Sequence, residues 1–239
     1  MIWLRSIGFH LLFWLWTLGL GIVGMPALCN SQWVRRLASL WVNGTLTLLR
    51  RCCKLDVEVR GLNHLSHHPA IYAAKHQSTL DTLILWKLLG GPAFVLKKQL
   101  FLIPVFGWYL ARCKPIAIIR SLGAKMLPHI MHQAREQLAQ GRHIIIFPEG
   151  TRRPPGAPAA YKMAGTSVMY EGANALVIPV VLNTGLYWGK REFTKRPGHA
   201  IVEILPAFPA GLSREELSRM LPERMETATA RLLEESPQV

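Results

Sequence analysis

From Leu55 onward the chain alternates short apolar runs with longer stretches of helical periodicity, a pattern that few folds accept. The runs Leu55 to Val59, Ala70 to Ala74, Ala93 to Leu96, Ile116 to Ile119, His143 to Phe147, Ala175 to Leu182 and His199 to Leu205 have the length of strands. They are apolar enough to be covered on both faces. Helices are expected over Thr79 to Leu89, Gln99 to Ala111, Ser121 to Ala139 and within Tyr161 to Gly172. Alternation of this kind predicts an α/β fold with a mixed, largely parallel sheet flanked by helices. In such a sheet the loops leaving the carboxyl ends of the strands gather along one edge, where ligand contacts collect. Near the C-terminus, Ser213 and Glu216 have capping-box spacing and Pro222 is placed to start another helix. Leu217, Met220, Leu221, Met225, Leu232 and Leu233 there are assigned to packing.

The N-terminal part follows other rules. Ile7 to Cys29 is almost uninterrupted apolar sequence, with His10 and Thr17 as its polar side chains, long enough to cross a hydrocarbon core of about 30 Å. A membrane span, a helix lying in one leaflet and a signal peptide all fit its length, although Leu28 before Cys29 suits lipoprotein cleavage poorly. Ser31 to Arg50 repeats apolar residues at Trp33, Leu37, Leu40, Trp41 and Leu48, as an interfacial helix or one packed on its predecessor would. No acidic residue precedes Asp56, whereas Arg5, Arg35, Arg36, Arg50, Arg51 and Lys54 accompany Trp3, Trp14, Trp16, Trp33 and Trp41. Tryptophan and arginine around apolar segments mark a membrane interface, so the net charge of +14 points to anionic lipid rather than nucleic acid. The chain is therefore expected to divide into N-terminal membrane-anchoring helices, residues 1–54, and a domain of residues 55–239. Cys29, Cys52, Cys53 and Cys113 lack zinc-site spacing and read as reduced thiols.

Two motifs carry chemistry. In His76, Gln77, Ser78, Thr79, Leu80, Asp81, a histidine and a carboxylate stand five positions apart, which on one ideal helix puts them about 140° apart around the axis. They meet only across a boundary, and Ser78 supplies one as a helix N-cap. His76 then lies in the preceding loop and Asp81 in the first turn, where the carboxylate fixes the imidazole tautomer of a general base. A helix cap beside an incidental histidine fits the same residues. The second motif, Phe147, Pro148, Glu149, Gly150, Thr151, Arg152, directly follows an apolar run. Arg152 is suited to bidentate phosphate binding, and Gly150 allows close backbone approach. Between the motifs stand Lys97, Lys98 and Pro104 to Gly107. The segment Arg152 to Ala160 is a proline-rich loop, for which a substrate cover and an inert surface loop remain alternatives, and Lys162 beside it is a further phosphate candidate. His64, His67, His68, His76 and Asp81 also form a possible ligand set for a metallohydrolase, although no second ligand motif follows downstream.

In this order the motifs resemble the glycerophospholipid acyltransferase family, most of all the 1-acyl-glycerol-3-phosphate acyltransferases. The family's histidine-x4-aspartate motif matches His76 and Asp81, and its proline-glutamate-glycine-threonine-arginine motif matches Pro148, Glu149, Gly150, Thr151 and Arg152. Lys98, Leu100, Pro104 and Gly107 resemble its middle block, and Val177, Ile178, Pro179 and Val180 its late apolar block. The resemblance implies acyl transfer from a thioester, acyl-CoA or acyl carrier protein, to the sn-2 hydroxyl of 1-acyl-glycerol-3-phosphate, giving phosphatidate with no cofactor and no metal. It makes His76 the base and Asp81 its orienting partner. The acceptor phosphate falls to Arg152, Lys98 and Lys97, in a pocket shaped by Gly150, Thr151 and Glu149. It also implies an N-terminal helix pair that holds the enzyme against membrane lipids, on the cytoplasmic face of a bacterial inner membrane. Lys75, Gln99 and Ile119 depart from the family's frequent asparagine, glutamate and acidic residue, which leaves another lysophospholipid or a lyso-aminolipid as the alternative acceptor. A nonenzymatic anionic-lipid-binding protein is a further alternative, one that gives the His76 and Asp81 pair no role.

Overall fold

The computed structural model describes residues 1–209 and 211–236; of the expected domain 55–239, residues 210 and 237–239 lie outside the described residues. The described residues form a seven-stranded sheet of β1 (Leu55–Arg60), β2 (Ile71–Ala74), β3 (Ala93–Lys97), β4 (Ile116–Ile118), β5 (Ile144–Ile146), β6 (Val177–Leu182) and β7 (Gly198–Ile204). Its order is β1-β7-β6-β2-β5-β3-β4, and every neighbouring pair is parallel except β6 with β7. The mixed, largely parallel sheet expected from the sequence is thus present. Its central strands β2, β5 and β6 are buried at every residue, which is why they read as unbroken apolar runs.

Helices cover both faces: α1 (Ile2–Val23), α2 (Ser31–Cys53), α3 (Thr79–Leu88), α4 (Phe106–Arg112), α5 (Leu127–Ala139), α6 (Ala164–Ala173) and α7 (Arg214–Glu234). Alternation along β2 assigns the layers. Ile71 and Ala73 pack with Ile130 of α5, Met169 of α6 and Leu221 of α7, while Tyr72 and Ala74 pack with Leu49 of α2 and Leu80 and Ile84 of α3.

Four boundaries differ from the sequence expectation, three at a local proline or glycine and one through tertiary packing. α1 stops at Val23 rather than running to Cys29, because Pro26 belongs to a following 3-10 turn, Met25–Cys29, and has no N–H to donate. The helix expected from Gln99 breaks into a 3-10 turn, Lys98–Leu102, and the short α4. Pro104 forces Ile103 out of the helical region, to φ −72° and ψ 118°. The helix expected from Ser121 begins only at Leu127, behind a 3-10 stretch in which Gly123 takes φ 50° and ψ −127°. Pro222 does not start a helix but sits inside α7, which the Ser213–Glu216 capping box opens. Leu217, Leu221 and Met225, all fully buried, hold α7 to the core on both sides of the proline, and packing of that extent outweighs one missing backbone bond.

α1 is apolar on two faces, one packed and one exposed. Ser6 and Phe9 are buried, Phe13 is partly so, and Phe9 meets Trp188 edge to face at 5.8 Å. On the other face Leu4, Leu11, Leu15, Leu18 and Ile22 are all more than half exposed. α2 packs antiparallel beside it, and the Trp16 indole N–H donates to Trp41 O at 3.1 Å while the Trp41 indole N–H donates to Thr17 Oγ1 at 3.0 Å. The base of α1 is fastened by Lys195, whose backbone N–H donates to Ser6 Oγ at 2.9 Å. The Lys195 side chain is buried; its amine donates to Glu192 O at 2.9 Å and Phe193 O at 2.7 Å and lies 4.6 Å from the Trp188 ring centre. Burial pushes its pKa down to about 8.

α2 closes on Lys54, an exposed residue in the left-handed region at φ 57° and ψ 35°. A side chain there costs roughly 1–2 kcal/mol, so Lys54→Gly is expected to raise stability by about 1 kcal/mol. A thermal unfolding midpoint raised by about 2–4 °C in detergent is the corresponding measurement.

Candidate active site

Three adjacent central strands deliver the site. β6, β2 and β5 are parallel neighbours, so the loops after Leu182, Ala74 and Ile146 emerge on one edge. His76 leaves β2, and the two motifs join where its backbone N–H donates to Glu149 Oε2 at 2.8 Å. The His76 ring lies on Phe147, centroids 3.9 Å apart and planes at 16°.

The Ser78 boundary forms as the sequence requires. Ser78 caps α3 and its Oγ accepts from the Leu80 N–H at 3.0 Å. Asp81 reaches back, and its Oδ2 accepts from His76 Nδ1–H at 3.0 Å, from Gln77 N–H at 2.7 Å and from Ser78 N–H at 2.8 Å. Its Oδ1 accepts from the Thr184 hydroxyl. Asp81 and Thr184 are both fully buried. A carboxylate accepting at Nδ1 fixes the proton on that nitrogen and leaves Nε2 as a base. The carboxylate that completes the Ser78 capping box is therefore the one that holds the imidazole.

Glu149 is 3% exposed, and both its oxygens are engaged: Oε1 pairs with Lys75 Nζ at 2.9 Å and Oε2 holds the His76 N–H. It offers no donor to a phosphate; its contacts fix the turn against the histidine loop. Lys75 continues the link to α7 through Glu226 Oε1 at 2.7 Å, an oxygen that also accepts from Tyr161 OH at 2.6 Å.

Beyond this turn cations converge. Gly150 has φ 66°, and a Cβ built there would lie 3.5 Å from Arg120 Nη2 and 3.6 Å from Lys162 Cδ. Lys190 Nζ donates to Thr151 Oγ1 at 3.4 Å and to Arg152 O at 3.2 Å, and Arg152 Nη1 donates to Thr79 Oγ1 at 3.0 Å at the start of α3. The Lys97 pKa is pulled below the usual lysine value, first by the charge of Arg120, then by burial and by Lys190 and Lys162. Lys97, Arg152, Gly150 and Thr151 thus belong to one cationic corner. Lys98 turns out into the 3-10 segment, exposed, and makes no hydrogen bond or ion pair among the described residues.

The loop after Arg152 is tied to the site. Arg153 N–H donates to His76 O at 2.8 Å, Lys162 N–H donates to Pro148 O at 2.7 Å, and Pro155 Cδ would stand 2.8 Å from a Cβ on Gly185. Three contributors escaped the sequence reading. Thr184 announces itself only by following the carboxyl end of a central strand; Arg120 drew notice only through its neighbour Ile119; Lys190 carries no local signal. His64, one of the possible metal ligands, has its Nδ1 2.9 Å from Ile204 O, and no group of three or more His, Cys, Asp or Glu side chains gathers as a metal site among the described residues.

The buried Lys75–Glu149 pair gives a stability test. Lys75→Met leaves Glu149 without its counter-charge and is expected to lower unfolding stability by about 3 kcal/mol, with part regained in Lys75→Met/Glu149→Gln. Denaturant unfolding of the single and double variants measures both.

The profile of the acyltransferase family matches residues 56–183. A 1-acyl-sn-glycerol-3-phosphate acyltransferase of Pseudomonas aeruginosa is 38% identical over 170 residues, which cover 71% of this chain and 66% of that protein. A Chlamydomonas reinhardtii protein described by the same activity is 30% identical over 199 residues, covering 82% of this chain and 60% of its own. The chain thus spans 60% to 66% of the length of these relatives. The crystal structure of the 1-acyl-sn-glycerophosphate acyltransferase PlsC from Thermotoga maritima has the same fold, with a TM-score of 0.72 at 23% identity over 96% of this chain and 95% of that one. The matched stretch begins in β1, ends just past β6 and holds both motifs together with the strands that present them, and by that match the chain belongs to the acyltransferase family.

Proposed function

We propose that this chain transfers a fatty acyl group from a thioester to the sn-2 hydroxyl of 1-acyl-glycerol-3-phosphate, giving phosphatidate. The observation that carries the reading is an oriented imidazole beside a cationic corner: His76 with Nδ1 committed to Asp81, and Lys97, Arg120, Arg152, Lys162 and Lys190 gathered around Gly150 and Thr151. His76 Nε2 takes the acceptor hydroxyl proton as the oxygen attacks the thioester carbonyl carbon. The C–S bond then breaks, and the departing thiolate receives the proton from the imidazolium. Asp81 keeps the ring in the productive tautomer and supports its transient charge, and Phe147 keeps it from turning. Acyl-CoA and acyl carrier protein both supply the thioester this step needs, and the protein's own part requires no cofactor.

The cationic corner suits a phosphate dianion, because like charges gathered on one side of the turn, with Glu149 engaged on the other, raise the affinity for a compact anion. Arg152, donating at Thr79 beside the Ser78 cap, sits where it can hold that phosphate within reach of the base. Residues 1–54 serve as the membrane anchor and residues 55–239 as the catalytic domain. The outer face of α1 lies in the lipid, α1 being about 33 Å long at 1.5 Å per residue. Thioester donors are made in the cytoplasm, which places the enzyme on the cytoplasmic face of a bacterial inner membrane.

The deciding experiment presents the purified protein in lipid vesicles with both thioester types and a panel of lysolipids, with products identified by mass. Lysophosphatidate turnover is expected. Failure on lysophosphatidate with turnover of a phosphate-free acceptor overturns the substrate assignment. In the same assay His76→Ala is expected to lower kcat about a thousandfold, and Arg152→Ala to raise the lysophosphatidate KM about tenfold or more.

A proton inventory tests the corner separately. Neighbouring cations lower the Lys97 pKa in the free protein, and a bound phosphate dianion reverses that field. Lysophosphatidate binding at alkaline pH is therefore expected to take up protons and to weaken as pH rises through the depressed Lys97 value. Calorimetry in buffers of different ionisation enthalpy reads the uptake, and Lys97→Met abolishes it.

A further inference from the structure

A second apolar surface stands apart from α1 in sequence and joins it in space. From the end of the 3-10 turn after β3 into the first turn of α4 the chain exposes Leu102 (80%), Ile103 (44%), Phe106 (44%) and Trp108 (53%). The segment has a defined shape. Val105 has φ 61° and ψ −60°, and Phe106 N–H donates to Pro104 O at 2.6 Å, the γ-turn of the rarer and strained hand. A β-branched residue holds that conformation only where the surroundings dictate it. Here Gly107 is pressed against Phe101, with room for no Cβ, which would lie 2.1 Å from Phe101 O. The result is a fixed wedge.

Two contacts fasten the wedge to the far end of α1. Tyr109 OH donates to Gly21 O at 2.7 Å, and Val105 Cγ1 would stand 3.5 Å from a Cβ on Gly21. Leu18, Ile22 and Met25, exposed on that end of the N-terminal hairpin, thereby continue into Leu102, Ile103, Phe106 and Trp108. The rim is cationic: Lys97, Lys98, Arg112 and Lys114 flank the wedge, and no acidic residue occurs between Thr82 and Arg135.

We propose that residues 102–108 form a second membrane contact, inserted into the hydrocarbon of the leaflet that receives α1, with the flanking lysines and arginines at the lipid phosphates. Continuity with the α1 face selects the bilayer as the occupant. Charge supports the choice: a second copy of a chain of formal charge +14 brings like charge to a cationic rim, whereas anionic headgroups complement it. Trp108 beside Arg112 repeats the tryptophan and arginine pairing of an interface. Lys97 closes β3 at the cationic corner, and the single 3-10 turn Lys98–Leu102 leads from it to the wedge. Insertion of Leu102 therefore fixes the corner at headgroup height.

The inference rests on the membrane placement of α1 proposed above, and its test does not rest on the acyl transfer. In the full chain carrying Cys29→Ser and Cys52→Ser, which leaves only the buried Cys53 and Cys113, a fluorophore is attached through Leu102→Cys, in parallel through Leu18→Cys on α1 and through Arg219→Cys on the exposed surface of α7. Each protein is mixed with anionic vesicles whose lipids carry brominated acyl chains. The expected result is quenching at position 102 comparable to that at 18 and several-fold greater than at 219. Quenching at 102 no greater than at 219 overturns the proposal, as does a disulfide-linked dimer formed through Leu102→Cys in vesicles in place of quenching. Activity on the same vesicles separates the two readings: an inserted wedge without lysolipid turnover refutes the reaction and leaves the contact standing. In the active case, Leu102→Ser/Ile103→Ser is expected to raise KM about tenfold for a long-chain acceptor in vesicles and to leave kcat/KM unchanged for a short-chain acceptor free in solution. An equal loss on both acceptors counts against the wedge.

Discussion

Asp81 has no contact with solvent, and a carboxylate in that position is tolerable only when its lone pairs are met by donors. The donors that meet it come from separate parts of the chain. Gln77 and Ser78 give backbone N–H groups from the loop after β2, His76 gives its ring N–H, and Thr184 gives a hydroxyl from the loop after β6. Satisfying one buried charge thus sets the entry angle of α3, the rotation of the imidazole and the approach of the β6 loop together. Loosening any of these leaves an unpaired acceptor in the interior, which costs several kcal/mol. The geometry needed for chemistry is in this way the geometry that keeps the interior satisfied.

A second constraint acts at the neighbouring strand. Glu149 ties the β5 turn to the His76 backbone, and Lys75 extends the tie to Glu226 on α7. The turn after β5 is therefore located by charges on its inner side, while Gly150 leaves its outer side open to Arg120 and Lys162. One short motif serves two environments: its carboxylate faces inward to structure, and its backbone faces outward to cations.

What the sequence made legible follows from how local each signal is. Strands covered on both faces announce themselves as apolar runs, and all of the expected strands form, with ends shifted by at most two residues. Ser78 as a cap, with His76 before it and Asp81 after it, needs only six residues to be read. Thr184, Arg120 and Lys190 were not readable in the same way, because each reaches the site through strand order, and order depends on the whole sheet. The boundaries misjudged around Pro104, Gly123 and Pro222 show competition between local and distant forces. At Ile103 the local rule of proline prevails in an exposed segment, whereas at Pro222 the packing of Leu217, Leu221 and Met225 overrides it.

Lys195 has a bearing on how separable the first helix is from the rest. Its amine is enclosed by the carbonyls of Glu192 and Phe193 and by Trp188, and its backbone is held by Ser6, while Phe9 fills the space beside Trp188 and Cys53. A protein shortened to begin after α1 does not present a finished surface at this place. It presents a hydrophobic hollow with a lysine at its floor, and that lysine, once wetted, regains an ordinary affinity for its proton. The helix is thus a wall of the folded body, and grafting a foreign helix in its place leaves the hollow unfilled.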